Sequence, residues 1–425
     1  MKHATICRLA LIATIVSSAS SPPAGAQALR AKGLDGAHTP LIASEKVVAV
    51  SPDPSGIFLF TPAIVEAGDG TLVAAVDYGG PLTDKLDGPK SIEGDYESGN
   101  QIRIFLSEDR GRSWQQTDAR IPMAHEILFK AGGRLYMIGH SDALFCTSSD
   151  DGGRSWSALS MLRSDGGWHQ SCGAVDVHEG KVTLVYEKKL PGEHLWPGVG
   201  PVLMQADEAA DLTDPASWRF SELYDPDPDI KAAKPSGIPA LKVTEESVGN
   251  AGILEASVVR VHNPASPLYD PSGVVIMMRA NTGFKDMGVM LRGRSDKDGG
   301  LVIERLLKRG EPLFYVHIPG GHLKFHIQYD PQSELYWMVH SHVNGNMDER
   351  RRLALSFSAD LLTWTMAGIV AVGPSDGASR NYATLAISGD DAFILSRSGD
   401  LSARSNHDNN LITFHRVRNF RRLVY

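Results

Sequence analysis

Short apolar runs separated by turn residues fill most of this chain. The runs are rich in Val, Ile, Leu, Tyr and Phe, which favour strands, and turn dipeptides such as Asp69-Gly70 and Gly152-Gly153 bound many of them. No long segment has the 3.6-residue apolar period of an amphipathic helix. Strands are predicted over residues 71–78, 102–107, 134–140, 181–187, 273–280, 335–341, 352–358 and 392–398. Many short strands joined by tight turns indicate an all-β sandwich, barrel or propeller.

An octapeptide pattern that occurs twice favours the propeller. Residues 107–114 read SEDRGRSW and residues 149–156 read SDDGGRSW. In each copy the Asp side chain can accept hydrogen bonds from the N–H groups of a tight turn, and the Gly permits a positive φ. The pattern therefore predicts a hairpin lock, in which Trp114 packs against its own blade. A repeat at this interval is typical of propeller blades.

The first 26 residues have the composition of a secretory signal peptide. Lys2 and Arg8 are followed by an apolar run that ends at residue 16, and residues 24–26 are Ala-Gly-Ala. Such a run is too short to span a bilayer. Cleavage after Ala26 would leave one domain over residues 27–425, exported to the periplasm or the medium.

Charge and cysteine content narrow the possible partners. The formal net charge of −8 disfavours nucleic acid, because phosphate binding needs a basic face. We expect no membrane span and a monomer. Cys146 and Cys172 would follow the signal peptide into a compartment that permits a disulfide, and the sequence leaves a bridge and two buried thiols both open. Two cysteines alone do not make a zinc site, so we expect neither a metal nor a cofactor.

The octapeptide matches S-x-D-x-G-x-[ST]-W, the Asp-box of the sialidase (neuraminidase) superfamily, which the chain thus resembles. The resemblance implies a six-bladed β-propeller with Asp-box hairpins. Asp-boxes also occur in non-enzymatic propellers, so the active site needs evidence of its own. In sialidases it would comprise an Asp acid/base, a Tyr nucleophile primed by a Glu, and three Arg that bind the substrate carboxylate. A neutral phenol avoids the repulsion that a carboxylate nucleophile would meet there.

Three positions match the catalytic residues that the resemblance implies. Asp95 lies twelve residues before Ser107, at the spacing of the acid/base. Glu255, at the head of an apolar strand, matches the base, and Tyr382 in SRNYATLAIS matches the nucleophile. Taken alone, these residues could equally be an exposed loop acid, a member of a salt bridge between blades and a half-buried strand tyrosine.

Arginines supply candidates for binding the substrate carboxylate. Arg279 closes the strand after the one that Glu255 heads, and we select Arg351 from the triplet 350–352. The first family arginine belongs to an Arg-Ile-Pro segment, which here reads Phe60-Thr61-Pro62. Arg380 is therefore a candidate replacement, and sialic acid itself is one of several possible acidic sugars.

Histidines leave other functions open. His169 and His322 are candidates for binding sugar hydroxyls as neutral imidazoles. Some propellers of similar shape are polysaccharide lyases that act on a uronate, and Tyr382 or Tyr315 with either histidine would suit that chemistry. A non-catalytic carbohydrate-binding propeller is a third possibility. We predict a secreted exo-glycosidase that removes a terminal acidic sugar with retention of configuration.

Overall fold

The computed structural model describes residues 41–42, 45–92, 96, 98–194, 196–232, 252–282, 284–308, 310–344 and 348–425. Their strands form the six antiparallel blades of a β-propeller, as the sequence predicts. The signal peptide predicted over residues 1–26 and the candidate acid Asp95 lie outside the described residues.

The first two blades are simple four-stranded meanders. Blade 1 contains β2 (Phe58–Glu66), β3 (Leu72–Gly79), β4 (Gln101–Ser107) and β5 (Gln115–Ile121). Blade 2 contains β6 (Ala124–Ala131), β7 (Arg134–His140), β8 (Leu144–Ser149) and β9 (Ser160–Arg163).

Blades 3 and 4 each have an additional short strand. Blade 3 consists of β10 (Trp168–His169) and β11 (Asp176–His178), which both pair with β12 (Lys181–Lys189), then β13 (Val199–Asp207) and β14 (Trp218–Phe220). Blade 4 consists of β15 (Gly252–Val259), β16 (Gly273–Asn281), β17 (Met287–Ser295), β18 (Leu301–Arg305) and β21 (Tyr315–His317), which pairs with β17. A separate ribbon joins β19 (Leu307–Lys308) to β20 (Glu311–Pro312).

Blade 5 is a simple meander, whereas blade 6 combines one strand from the amino-terminal side of the described chain with three from its carboxy-terminal side. Blade 5 is a meander of β22 (Phe325–Asp330), β23 (Leu335–His342), β24 (Arg352–Ser358) and β25 (Thr365–Val372). Blade 6 combines β26 (Arg380–Ser388), β27 (Asp391–Ser398) and β28 (Leu411–Arg418) with β1 (Lys46–Val50) as its outer strand. The helices within the described ranges are α1 (Asp227–Ala232) and the 3₁₀ turns Thr83–Lys85, Pro215–Ser217 and Phe420–Leu423.

Inner strands of neighbouring blades pack against one another and close the ring: β2 contacts β6 and β26, and β22 contacts β15 and β26. These inner strands are largely buried, and every residue of β15 is buried. All eight strands predicted from apolar runs are present, with ends shifted by at most two residues.

The octapeptide turns make the hydrogen bonds that the sequence predicts. Asp109 Oδ1 accepts the backbone N–H groups of Arg112 and Ser113, both at 2.9 Å. In the second copy Asp151 Oδ1 accepts the N–H of Ser155 at 2.9 Å. Hydrogen bonds, first of all from the Ser113 hydroxyl, lower the pKa of Asp109 to about 2.

These turns also reach the preceding blade, so the expectation that Trp114 packs only on its own blade is incomplete. The Trp114 ring lies 5.4 Å from the ring of Phe414 in blade 6. A Cβ on Gly153 would lie 2.8 Å from Val73 Cγ1 in blade 1. Residues 358–364 read SADLLTW, a related turn that is one residue shorter and lacks the glycine. There Leu361 takes the positive φ of 63° and packs in a cluster that includes Val259 of blade 4. Each turn therefore joins two blades.

Cys146 and Cys172 are buried free thiols, which decides between the two alternatives that the sequence left open. Burial raises the pKa of Cys172 to about 12. Among the described residues, no helix is long and apolar enough to cross a membrane.

Gly111→Ala should destabilise the protein more than Gly133→Ala. The two glycines have φ of 82° and 81°, so an alanine is strained by about 1–2 kcal/mol at either position. At Gly111 the new Cβ would also lie 2.0 Å from Phe414 Cε1, whereas nothing lies within 4 Å at Gly133. Overpacking of this kind costs about 1–3 kcal/mol more. Urea unfolding of both variants measures the difference in their free energies of unfolding. Equal losses of stability would show that the turn of blade 1 is not tightly packed against blade 6.

Candidate active site

Four inner strands carry a bulge near their first residues. The strand register shifts between Leu59 and Pro62, Ala124 and Ile127, Leu254 and Ser257, and Asn381 and Thr384. In three of these bulges a non-glycine residue adopts a left-handed conformation, with φ of 52° at His125, 62° at Glu255 and 47° at Tyr382. L-residues rarely adopt such values, and strained positions of this kind cluster at functional sites.

The predicted base and nucleophile meet across the propeller. The Tyr382 hydroxyl of blade 6 donates a hydrogen bond of 2.6 Å to Glu255 Oε1 of blade 4. Arg279 Nη1 donates to the Tyr382 oxygen at 2.8 Å and lies 3.2 Å from Glu255 Oε2. All three side chains are buried. The structure therefore brings together three of the residues selected from the sequence.

Electrostatics favour an ionised Glu255 beside a protonated Tyr382. Burial tends to raise the pKa of Glu255, but the charge of Arg279 and the hydrogen bond from Tyr382 outweigh burial and lower it. Burial, followed by the charge of Glu255, raises the pKa of Tyr382, although three nearby arginines oppose this shift. Both pKa shifts therefore favour a phenol that keeps its proton beside an ionised carboxylate.

Two further guanidinium groups lie over the Tyr382 ring. Arg397 Cζ lies 3.9 Å from the centroid of that ring and 5.0 Å from the centroid of the Phe60 ring. Arg350 Cζ lies 5.5 Å from the Tyr382 centroid. Nη1 of Arg350 is buried and has no hydrogen-bond partner among the described residues. With Arg279, these side chains place three arginines around the phenol.

Two of the arginines predicted from the sequence make other contacts. Arg351 Nε donates to the Gly373 carbonyl at 2.8 Å. The structure brings Arg350 rather than Arg351 against Tyr382, because consecutive side chains of an extended segment point to opposite sides. Arg380 Nε donates to Glu45 Oε2 at 2.7 Å, so its guanidinium pairs with a carboxylate beside β1.

Arg397 is the residue of the candidate site that sequence reasoning missed. It pairs with Asn381 across the β26–β27 hairpin, beside the bulge that carries Tyr382. Its guanidinium covers Phe60, the residue that stands where the family has its first arginine. Counting outward from the Gly389-Asp390 turn would have placed an arginine opposite this region, because a hairpin turn fixes the register.

Imidazoles occupy the part of the site built by blades 2 and 3. His169 Nδ1 lies 2.9 Å from Glu187 Oε2, and Glu187 Oε1 accepts the backbone N–H of Ala256 at 2.8 Å. The ring of His125 lies 5.6 Å from that of His169. His169 is thus connected through Glu187 to the residue next to Glu255.

His322 and Tyr315 have buried positions in the structure. His322 Nδ1 accepts the Asp286 N–H at 3.0 Å, and the His322 carbonyl accepts Arg279 Nε at 3.0 Å. His322 therefore holds Arg279 in place. Tyr315, a candidate for the lyase interpretation, is part of the apolar core of blade 4.

Two more ionisable groups are buried. Lys324 Nζ donates to the Phe325 carbonyl at 2.7 Å, and burial lowers the pKa of Lys324. Neither carboxyl oxygen of Glu126 has a hydrogen-bond partner among the described residues. Burial, together with the charge of Asp77, raises the pKa of Glu126 well above its ordinary value.

A separate cavity of about 720 Å³ is lined by the other ends of the inner strands, including residues 64–66, 128–130 and 385–387. Tyr382, Glu255 and Arg279 do not line it. We therefore place the candidate site at the bulged ends of the strands, where the reactive groups converge. In the described part of the chain, no group of three His, Cys, Asp or Glu side chains is arranged to hold a metal ion.

Solved structures share this architecture at low sequence identity. A Hadza microbial sialidase, Hz136, matches with a TM-score of 0.56 and 13% identity over 88% of this chain and 68% of its own. A sialidase of Trypanosoma rangeli, solved with sialic acid, matches with a TM-score of 0.54 and 13% identity over 90% of this chain. This chain spans 60% of the length of that trypanosomal protein.

A protein of unknown function from Dyadobacter fermentans also matches, with a TM-score of 0.51 and 13% identity over 88% of this chain and 99% of its own. No family model matches the sequence, and no curated protein matches it either. At 13% identity these structures show that the fold is shared.

Glu126→Gln should flatten the dependence of stability on pH. The pKa of Glu126 is raised in the folded protein, so folding retains a proton that the unfolded chain releases. The free energy of unfolding then falls as pH rises from about 4.5, the ordinary value, through the raised pKa. Urea midpoints between pH 5 and pH 8 should decline less in the variant than in wild type. Parallel declines would show that Glu126 does not retain its proton.

Proposed function

We propose that this protein is a retaining exo-glycosidase that removes a terminal acidic sugar, sialic acid or a related sugar, from a glycan. The observation that carries this proposal is the buried 2.6 Å hydrogen bond between Tyr382 and Glu255, surrounded by three guanidinium groups. A buried phenol bonded to an ionised carboxylate has the geometry of a nucleophile beside its base.

Catalysis would proceed through a glycosyl–tyrosine intermediate. Glu255 Oε1 takes the phenolic proton while Tyr382 Oη bonds to the anomeric carbon and the bond to the leaving oxygen breaks. That oxygen receives a proton from a general acid, for which Asp95 is the candidate from sequence spacing. In the second step water loses a proton to the carboxylate of that general acid and bonds to the anomeric carbon, while the bond from this carbon to Tyr382 Oη breaks. The released phenolate then regains its proton from Glu255.

The arginines support an acidic substrate. Arg350 Nη1, buried and without a partner among the described residues, is a donor that an anionic group would satisfy. Arg279 donates to the Tyr382 hydroxyl and Arg397 lies over the Tyr382 ring, so both add positive charge beside the phenol. A carboxylate on the anomeric carbon of the sugar would meet these groups, and each charge-assisted hydrogen bond contributes about 1.5–3 kcal/mol.

A uronate-directed lyase is a second candidate, favoured by the His169–Glu187 hydrogen bond of 2.9 Å. An imidazole oriented by a carboxylate can act as a base that removes a proton from a uronate. The arginines would then neutralise the uronate. The composition of residues 1–26 supports the proposal that the protein acts outside the cytoplasm in either case.

Tyr382→Phe should abolish glycoside hydrolysis while leaving the protein folded. The variant lacks the nucleophilic oxygen, so kcat on a fluorogenic sialoside should fall on the order of 10³-fold or more. Tyr329→Phe is the matched control, because Tyr329 lines the separate cavity, and it should retain wild-type kcat.

The same assay separates the alternatives. If wild type releases no fluorophore, sialic acid is excluded as the substrate. An absorbance rise near 235 nm (about where a uronate conjugated to a new double bond absorbs) with uronate-rich polysaccharides would then identify a lyase. Turnover of neither substrate class would leave a carbohydrate-binding propeller as the function.

Arg350→Gln should weaken substrate binding far more than Arg351→Gln. Loss of one charge-assisted bond to a carboxylate, about 1.5–3 kcal/mol, corresponds to a loss of roughly 10- to 150-fold in kcat/KM, mostly through KM. Arg351 instead donates to the Gly373 carbonyl, and its variant should stay within about threefold of wild type. The opposite ranking would mean that Arg351 is the substrate ligand.

A further inference from the structure

An exposed tryptophan lies beside the imidazoles of the site. Trp196, in the loop between β12 and β13, has 54% of its surface exposed. Its ring meets the ring of His169 edge to face, with centroids 5.1 Å apart. Trp337, by contrast, is fully buried. A large aromatic side chain left open to solvent at the mouth of a site suggests a surface that a ligand covers.

The loop that carries Trp196 is anchored to β15, the strand that carries Glu255. Its base is closed by a hydrogen bond of 2.9 Å from the Leu190 N–H to the Gly198 carbonyl. Pro197 packs so closely against Gly252 that a Cβ there would lie 2.5 Å from Pro197 Cγ. Gly252 is the first residue of β15, the strand of Glu255. The indole is therefore held at a fixed place relative to the catalytic base.

His169 gives this place a polar group. Because Nδ1 contacts Glu187, Nε2 is the ring nitrogen left for a ligand. Glu187 is itself fixed by the Ala256 N–H, so the imidazole orientation is tied to the bulge of Glu255. A flat apolar surface next to an oriented polar atom is the arrangement that binds the C–H face and one hydroxyl of a sugar ring.

The arginines and the aromatic groups of the site lie on different sides of it. Arg279, Arg350 and Arg397 come from the chain of blades 4 to 6 and surround Tyr382. The aromatic groups His125, His169 and Trp196 come from blades 2 and 3. An acidic sugar held by the arginines would therefore present its uncharged neighbour to the aromatic side.

We propose that Trp196 and His169 form a second subsite, in which the neutral sugar linked to the acidic one stacks on the indole and hydrogen-bonds to His169 Nε2. This inference rests on the proposed glycosidase function. It makes the substrate an oligosaccharide with an acidic terminal residue and a neutral penultimate residue, rather than any glycoside of the acidic sugar.

The test compares the activity of Trp196→Ala with that of wild type on two substrates. Sialyllactose has a neutral galactose next to the sialic acid, whereas sialyl fluoride has no second ring. In the variant, kcat/KM for sialyllactose should fall at least tenfold, and the rate of fluoride release from sialyl fluoride should stay within twofold of wild type. Trp196→Phe should recover part of the loss. Equal effects on both substrates, or no effect on either, would overturn the subsite.

Tyr269→Ala is the matched control, since Tyr269 is an exposed aromatic residue, at 37%, on the β15–β16 connection. It should leave both substrates unaffected, and a selective loss for sialyllactose in this variant too would overturn the assignment to Trp196.

A binding measurement separates failure of the subsite from failure of the proposed function. If wild type turns over neither substrate, the proposed function fails, and lactose is titrated against intrinsic tryptophan fluorescence. Quenching in wild type that disappears in Trp196→Ala would uphold a neutral-sugar site at this place. Absence of quenching in wild type, or quenching that persists in the variant, would overturn it.

Discussion

The candidate site depends on keeping a carboxylate ionised where water does not reach it. A buried charge is tolerated only when a partner of opposite charge and hydrogen bonds offset its lost hydration. Glu255 obtains both from Arg279 and Tyr382. Arg279 is oriented in turn by the His322 carbonyl. Glu255 and Arg279 belong to blade 4 and Tyr382 to blade 6, so the complete set of contacts around this carboxylate forms only when the propeller is closed.

Bulges in the inner strands direct several side chains of the site towards its centre. A bulge near the start of an inner strand places one residue in a left-handed conformation, and this device occurs at His125, Glu255 and Tyr382. Non-glycine residues accept such a conformation only where the surrounding structure imposes it. The same local distortion thus presents an imidazole, a carboxylate and a phenol in three blades. The three bulges occupy equivalent positions in their blades, and only the side chain differs from one to the next.

The sequence predicted much of this arrangement and missed parts of it for physical reasons. Apolar runs and turn dipeptides predicted the strands, and the resemblance to sialidases implied the central group of Glu255, Arg279 and Tyr382. The choice between Arg350 and Arg351 needed the phase of side-chain alternation before β24, which an apolar pattern does not supply. Arg397 lies opposite the bulge of Tyr382 across the β26–β27 hairpin, and its proximity becomes visible only when the two strands are paired outward from their turn. Whether a turn contacts its own blade or the one before it depends on packing that local sequence does not encode.

The closure of blade 6 by β1 gives the amino-terminal side of the chain a part in the site. Glu45 directly precedes β1 and pairs with Arg380, two residues before Tyr382. Proteolytic trimming that removed Glu45 would leave the buried guanidinium of Arg380 without its carboxylate, on the strand that also carries Tyr382. Cleavage after Ala26 would keep a spacer between the new terminus and Glu45. Cleavage at that predicted position would therefore leave the pair of Glu45 and Arg380 intact.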